Sequence, residues 1–261
     1  MNINLKGRKA LVGGSSRGIG RAIAVQLAES GAAVTLMARS SGQLQSLVRS
    51  LPADQGQEHG YLQVDFADLE DYSDKIHGFF TKNTVDILVN NTQGPSAGNS
   101  LEKETEDYQQ AFDLLFKSVH LTTHLALKNM MAQKWGRIIN VASISVREPL
   151  PYLALSNTIR AAVVTWAKTL SADVGKYGIT VNNILTGYFD TERISQLNEK
   201  KAEQLGITPD AVRAEMESKV PLKRIGLPEE YGYLVAFLAS DKASYLTGTS
   251  IPLDGGLLKS L

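Results

Sequence analysis

Gly14, Gly18 and Gly20, with Ser15, Ser16, Arg17 and Ile19 between them, make a turn whose main chain can come very close to a ligand. The short run before it, Lys9-Ala10-Leu11-Val12, reads as a buried strand. The run after it reads as a helix, with Ile19, Ile23, Gln26 and Leu27 at helical spacing and Gly31 placed to stop it. Strand, glycine turn and helix start together form an anion site, because the first helix amides have no partners and the dipole is positive there. A dinucleotide pyrophosphate is the usual occupant of such a site. The spacing is Gly14-x-x-x-Gly18-x-Gly20, which differs from Gly-x-Gly-x-x-Gly and lacks the Gly-Lys-Ser/Thr ending of a P-loop.

The elements that must hold this turn alternate along the chain. Strands are expected at Ala33–Ala38, Gly60–Asp65, Val85–Asn90, Gly136–Ser143, Ile179–Leu185 and Ser250–Leu253, in addition to the first. Helices are expected around Gln43–Ser50, Leu69–Lys82, Thr105–Lys134 and Leu155–Gly175. Most strands are continuous apolar runs, which describes an α/β fold: a doubly wound, Rossmann-type parallel sheet of seven strands with helices on both faces. Right-handed crossovers gather the strand C-terminal ends on one edge, where ligands bind in open sheets. Gly14–Gly20, Arg39, Asp65, Asn90–Gly94, Ser143 and Gly187–Thr191 all follow strands and should converge on one crevice. No linker or repeat divides the chain, so residues 1–261 form a single domain. Residues at about 190–220 form two charged helical patterns split by Gly206-Ile207-Thr208-Pro209-Asp210, expected to be a mobile lid over the substrate.

Composition removes several function classes. The chain has 261 residues, 43% of them hydrophobic, enough for one large core. Its formal net charge is +0 with no long basic run, so no nucleic-acid partner is expected. It has no cysteine, which excludes disulfides, thiolate metal sites and cysteine nucleophiles. The histidines are scattered, and no metal site is expected. No N-terminal segment resembles a signal peptide and no run approaches the ~20 apolar residues of a membrane helix, so a cytoplasmic protein without a membrane partner is the expectation.

The glycine turn, Asn90-Asn91-Thr92-Gln93-Gly94, Arg224-Ile225-Gly226-Leu227-Pro228-Glu229-Glu230 and Leu246-Thr247-Gly248 with Leu253-Asp254-Gly255-Gly256 resemble motifs of the short-chain dehydrogenase/reductase family. The C-terminal segments resemble its β-ketoacyl-carrier-protein-reductase-like branch. Gly13 stands where the family usually has Thr, and Asn90–Gly94 resembles its Asn-Asn-Ala-Gly with Thr92 for Ala and Gln93 inserted. The resemblance implies a cofactor set of Gly14, Ser16, Arg17, Gly18, Ile19, Gly20, Arg39, Asp65, Phe66, Asn91, Thr92, Gly94, Arg160, Gly187, Phe189 and Thr191, with Asp65 beside the adenine. It also implies a small-molecule carbonyl or alcohol substrate and a homotetramer or homodimer built on the long helices. The apolar Ala161, Ala162, Val163, Trp166 and Ala167 fit such packing.

Cofactor choice follows from charge. An acid at the end of strand two accepts from the ribose 2′-OH of NAD and repels a 2′-phosphate. Here Ala38 holds that position, followed by Arg39, and Arg17 can approach the same phosphate. NADP(H) is therefore expected over NAD(H).

Catalysis departs from the pattern. The resemblance implies a Ser that holds the carbonyl oxygen, a Tyr that protonates it, a Lys four residues later, and an Asn that orders a water relay. Ser143 matches the Ser, but Ser156 falls at the Tyr position, Arg160 at the Lys and Leu115 at the Asn; Thr186-Gly187 also replaces Pro-Gly. An aliphatic hydroxyl is a far weaker acid than tyrosine, and arginine stays protonated, so Arg160 can stabilise an alkoxide without passing on a proton. Tyr152, Tyr188 and His120 are candidate replacement acids, with Tyr152 preferred. Two functions follow: a carbonyl reductase of 3-oxoacyl-type or similar small ketones with non-standard acid catalysis, or a cofactor-binding pseudoenzyme acting as a sensor or oligomer partner.

Overall fold

The computed structural model describes residues 2–260. Seven strands form one sheet: β1 (Lys9–Gly13), β2 (Ala33–Ala38), β3 (Gly60–Gln63), β4 (Ile87–Asn90), β5 (Gly136–Val141), β6 (Ile179–Thr186) and β7 (Ser250–Leu253). Their order is β3-β2-β1-β4-β5-β6-β7 and every pairing is parallel. The order reverses between β1 and β4, and that switch point opens a crevice beyond the strand ends. The expected fold class is the observed one.

Side-chain alternation divides the core. Val12, Val89 and Ile139 face one helical layer, with α1 (Gly18–Glu29) contributing Ile23 and Leu27. Leu11, Leu88 and Ile138, their neighbours in sequence, face the other layer. There they meet Ile76 of α3 (Leu69–Phe80), Leu125 of α5 (Ser118–Gln133) and Ile159 and Ala167 of α6 (Ala154–Val174), while α2 (Ser41–Ser50) joins the first layer through Leu44 and Leu47. With both faces covered, the strands have no polar side to show, which is why they read as unbroken apolar runs.

Two elements differ from expectation. The helix expected over Thr105–Lys134 is α4 (Thr105–Phe112) and α5, separated by a π-helical turn at Asp113–Lys117 that contains Leu115. A π turn inserts a residue without breaking the apolar stripe, so periodicity alone did not mark it. The second is α9 (Pro228–Ala239), a helix no periodic pattern announced because it is apolar on most faces. Its start is nonetheless written in Pro228 and in Glu230, whose carboxylate accepts from the Leu227 amide at 2.7 Å. It lies against α1 so closely that a Cβ on Gly232 would come within 2.9 Å of the Ala22 carbonyl oxygen.

After β6 come α7 (Glu192–Leu205) and α8 (Pro209–Lys219), each begun by a threonine cap: Thr191 accepts from the Ile194 amide and Thr208 from that of Ala211. No helix among the described residues is long and apolar enough to cross a membrane.

Candidate active site

The glycine turn is drawn tightly onto the strand ends. Ser15 is fully buried; its amide donates to the Met37 carbonyl at 3.2 Å and its Oγ accepts from the Met37 amide at 3.0 Å. Asn91 Nδ2 donates to the Gly13 carbonyl at 3.0 Å, tying the turn to the end of β4. Gly14 and Gly18 have φ of 54° and 55°, in the left-handed region, and a Cβ on Gly20 would lie 2.2 Å from the Gly14 carbonyl oxygen. Helix α1 begins with no side-chain cap and no acidic residue in its first turn. Its leading amides are unclaimed by side chains and face a cradle that side chains would fill, which fits a pyrophosphate.

The flanking residues take different places. Arg39 is exposed just past β2, and among the described residues no carboxylate pairs with it. Asp65 is half-buried and its Oδ1 accepts from the Ala67 amide at 3.0 Å. Phe66 turns into the core against Tyr72, 5.1 Å between ring centroids, so only its main chain is left for a ligand. Phe189 is likewise buried, edge-on to Tyr231 at 5.2 Å, and Ile19 packs partly into the same core. Thr92 lines a narrow pocket with Asn90, Leu115, Val141 and Arg160. Gly187 sits so near Asp254 that a Cβ would meet its Cα at 2.6 Å. Thr191 lies over Gly18, its Cγ2 3.3 Å from where that Cβ would stand. Arg17, expected beside a 2′-phosphate, instead pairs with Glu192 at 2.6 Å.

Beneath the crevice runs a buried line of amides. Asn90 Nδ2 donates to Thr123 Oγ1 at 3.0 Å and to Asn140 Oδ1 at 2.8 Å; Asn140 Nδ2 donates to Asn183 Oδ1 at 2.9 Å; Asn183 Nδ2 reaches Ser250 Oγ at 3.2 Å. The line crosses four strands, because Asn90, Asn140 and Asn183 stand in register on β4, β5 and β6. Asn90 belongs to the Asn90–Gly94 motif, whereas Asn140 and Asn183 are signalled in the sequence only by being polar inside apolar strands.

Ser143 is half-buried at the end of β5, and its Oγ accepts from the Ser145 amide at 3.1 Å, which leaves the hydroxyl proton uncommitted. Ser156 is buried in the first turn of α6. Arg160, one turn on, is half-buried and its Nη1 donates to the Val141 carbonyl at 2.6 Å. Burial, with a smaller push from Arg193, lowers its pKa to about 10, against the opposing pull of Tyr231, so the guanidinium stays charged at neutral pH. Leu115 is buried in the π turn and brings no polar atom.

Of the three candidate acids, Tyr152 and Tyr188 lie near each other and His120 lies elsewhere. Tyr152 is 52% exposed in the loop before α6; burial of its hydroxyl end and Tyr188 raise its pKa, opposed by Lys201 and Lys219. It is therefore near Tyr188 and stays protonated at neutral pH. His120 is exposed on α5, stacked between Phe116 and His124 at 6.2 Å from each and 5.6 Å from Trp166. That aromatic column occupies the outer face of the helix and gives His120 a packing role.

A family profile described as enoyl-(acyl carrier protein) reductase matches residues 14–258. The chain is 32% identical to the 3-oxoacyl-(acyl-carrier-protein) reductase FabG of Rickettsia conorii, over 98% of this chain and 99% of that one. Among solved structures, L-sorbose reductase from Gluconobacter frateurii, complexed with NADPH and L-sorbose, superposes with a TM-score of 0.93 at 31% identity over 100% of both chains. A 3-oxoacyl (acyl-carrier-protein) reductase from Agrobacterium tumefaciens with NADP bound superposes with a TM-score of 0.86 at 29% identity, over 97% of this chain and 95% of that one. A glycine turn seated on a parallel seven-stranded sheet, a profile spanning nearly the whole chain and relatives matched end to end agree: the chain belongs to the short-chain dehydrogenase/reductase family, on its 3-oxoacyl-reductase-like branch, and is an oxidoreductase.

Proposed function

We propose that this chain is an NADP(H)-dependent reductase of a 3-oxoacyl-type or similar small ketone, working without the usual tyrosine at the first turn of α6. The observation that carries the reading is the pairing of an open amide cradle at α1 with a charged guanidinium, Arg160, at the foot of the same crevice. NADPH, when bound, supplies the hydride. Support for the phosphorylated cofactor comes from the unpaired Arg39 after Ala38, and from relatives whose structures hold NADPH or NADP.

Each residue has a separate task. The unclaimed amides of α1 hold the pyrophosphate, Asn91 and Thr92 line its path, and Arg39 meets the 2′-phosphate. Ser143 donates its free hydroxyl to the carbonyl oxygen. Arg160 spends one N–H on Val141 and keeps its other donors and its charge for ribose hydroxyls and the developing alkoxide. Tyr152 holds a proton at neutral pH, and an alkoxide is basic enough to take it although the raised pKa makes this tyrosine a weaker donor than a free one. Helices α7 and α8 serve as the lid, and the aromatic face of α5 and α6 serves for assembly into a homotetramer or homodimer.

A second reading, a cofactor-binding protein without turnover, draws on Leu115 and Ser156, which remove the relay and the tuned acid together. Fluorescence titration with NADPH and NADH, followed by NADPH oxidation against a panel of 3-oxoacyl thioesters and small ketones, separates the two. Turnover that falls about a hundredfold in Tyr152→Phe at unchanged NADPH affinity is the expected result. Saturable NADPH binding without turnover on any ketone leaves the second reading.

A further inference from the structure

The start of α7 rests on both loops that border the crevice. Thr191 covers Gly18, and Glu192 reaches Arg17. Arg193, the next residue, lies over the loop after β4: a Cβ on Gly94 would stand 2.7 Å from its Nη2 and 3.1 Å from its Cζ. Thr191, Glu192 and Arg193 together thus bridge the same two loops that the pyrophosphate cradle joins.

The charge of Arg193 is unanswered. Of the carboxylates beside it in sequence, Glu192 is spent on Arg17, and Asp190 accepts from both Arg213 nitrogens at 3.1 and 2.9 Å. Among the described residues no carboxylate forms an ion pair with Arg193. Arg193 is exposed as a residue, yet partial desolvation of its guanidinium and the charge of Arg17 both lower its pKa, and Arg193 in turn lowers that of Arg160. Arg193 therefore feels the repulsion of two other cations, Arg17 of the glycine turn and Arg160 at the crevice floor, with one ion-paired carboxylate, Glu192, beside it. An anion placed among them relieves that repulsion.

We infer that Arg193 is a ligand of the cofactor diphosphate, a guanidinium carried by the lid that closes over the two phosphates from the side opposite the α1 amides. The inference rests on the reading of the crevice as a dinucleotide site. Arginine suits the task, since its planar donors match two phosphate oxygens at once. It also couples lid closure to cofactor occupancy, because the same helix carries the residue that senses the phosphates and the surface that covers the substrate.

The test is a binding titration of wild type, Arg193→Gln and Arg193→Lys, with NADPH and with adenosine 2′-phosphate, which has the adenine and 2′-phosphate but no diphosphate. Matching circular dichroism melts check the fold. Arg193→Gln should weaken NADPH about tenfold or more, the size of a lost charge-assisted hydrogen bond, and leave adenosine 2′-phosphate unchanged, with Arg193→Lys recovering part. Unaltered NADPH affinity in Arg193→Gln overturns the assignment, and so does an equal loss for both ligands. A wild-type chain that binds no NADPH overturns the dinucleotide reading itself, which keeps the two failures apart.

Discussion

Arg17 Nη1 lies 2.6 Å from Glu192 Oε2, so an ion pair joins the turn before α1 to the first residue of α7. Both side chains are more than half exposed, at 53% and 56%, and such a pair adds little to stability. On the proposed function its effect is on occupancy, since Glu192 then places a carboxylate beside the path of an anionic cofactor. Glu192→Gln should leave the melting temperature unchanged and tighten NADPH about twofold to fivefold at low salt, an advantage that fades as salt rises. Weaker NADPH binding in this variant would mean that Glu192 organises the site.

On the proposed function, Arg39 is the residue that separates the two nicotinamide cofactors. Arg39→Ala should weaken NADPH about tenfold, the cost of one charge-assisted hydrogen bond, and leave NADH where it was. Equal losses for both cofactors would show that Arg39 acts on the loop as a whole.

The pH response should follow Arg160. Burial lowers its pKa from the ordinary arginine value to about 10, so the cation is present below that pH and lost as pH rises through it. Because the fold disfavours the charged form of this base, its contribution to stability is unfavourable at neutral pH, and the penalty fades between about pH 10 and the unfolded value. NADPH affinity and turnover should be flat from about pH 6 to 9 and fall above about 10, without the near-neutral step of a tuned tyrosine. A plot of kcat/KM against pH with a break near neutrality would assign the proton transfer to another group.

The line of buried amides gives a stability prediction. Asn140→Leu removes the partner of Asn90 Nδ2 and of Asn183 Oδ1, although Asn90 keeps Thr123. An unsatisfied buried polar group costs about 1–3 kcal/mol, so the unfolding free energy should drop by that amount, read as a lower urea midpoint at an unchanged m-value. A wild-type midpoint would mean that solvent or rearrangement satisfies both neighbours.

The parts legible in the sequence were those where one residue type has one physical use. Gly14 and Gly18 need left-handed backbone, and the apolar runs β4 and β5 must be covered on both faces, so turn, strand number and fold class could be read directly. Arg193 was not legible: among the many charges of residues 190–220 nothing in sequence marks the one lying on Gly94. Asn140 and Asn183 gave a polar signal inside strands, yet only register shows that they touch. The π turn at Leu115 keeps its apolar spacing and so hides an inserted residue, and nothing in sequence announces the stack of His120 with Phe116 and His124.

The amide line also divides the crevice by how readily it opens. Its floor is cross-linked over four strands, with Asn90, Asn140 and Asn183 buried, so backbone amides of β4, β5 and β6 should exchange with deuterium only on global unfolding. The roof is held by exposed ion pairs and two short helices, and its amides should exchange through local opening. On the proposed function, ligand enters and leaves through this roof on a fast timescale while the floor holds its shape, so the geometry that meets the reacting atoms is not rebuilt between encounters.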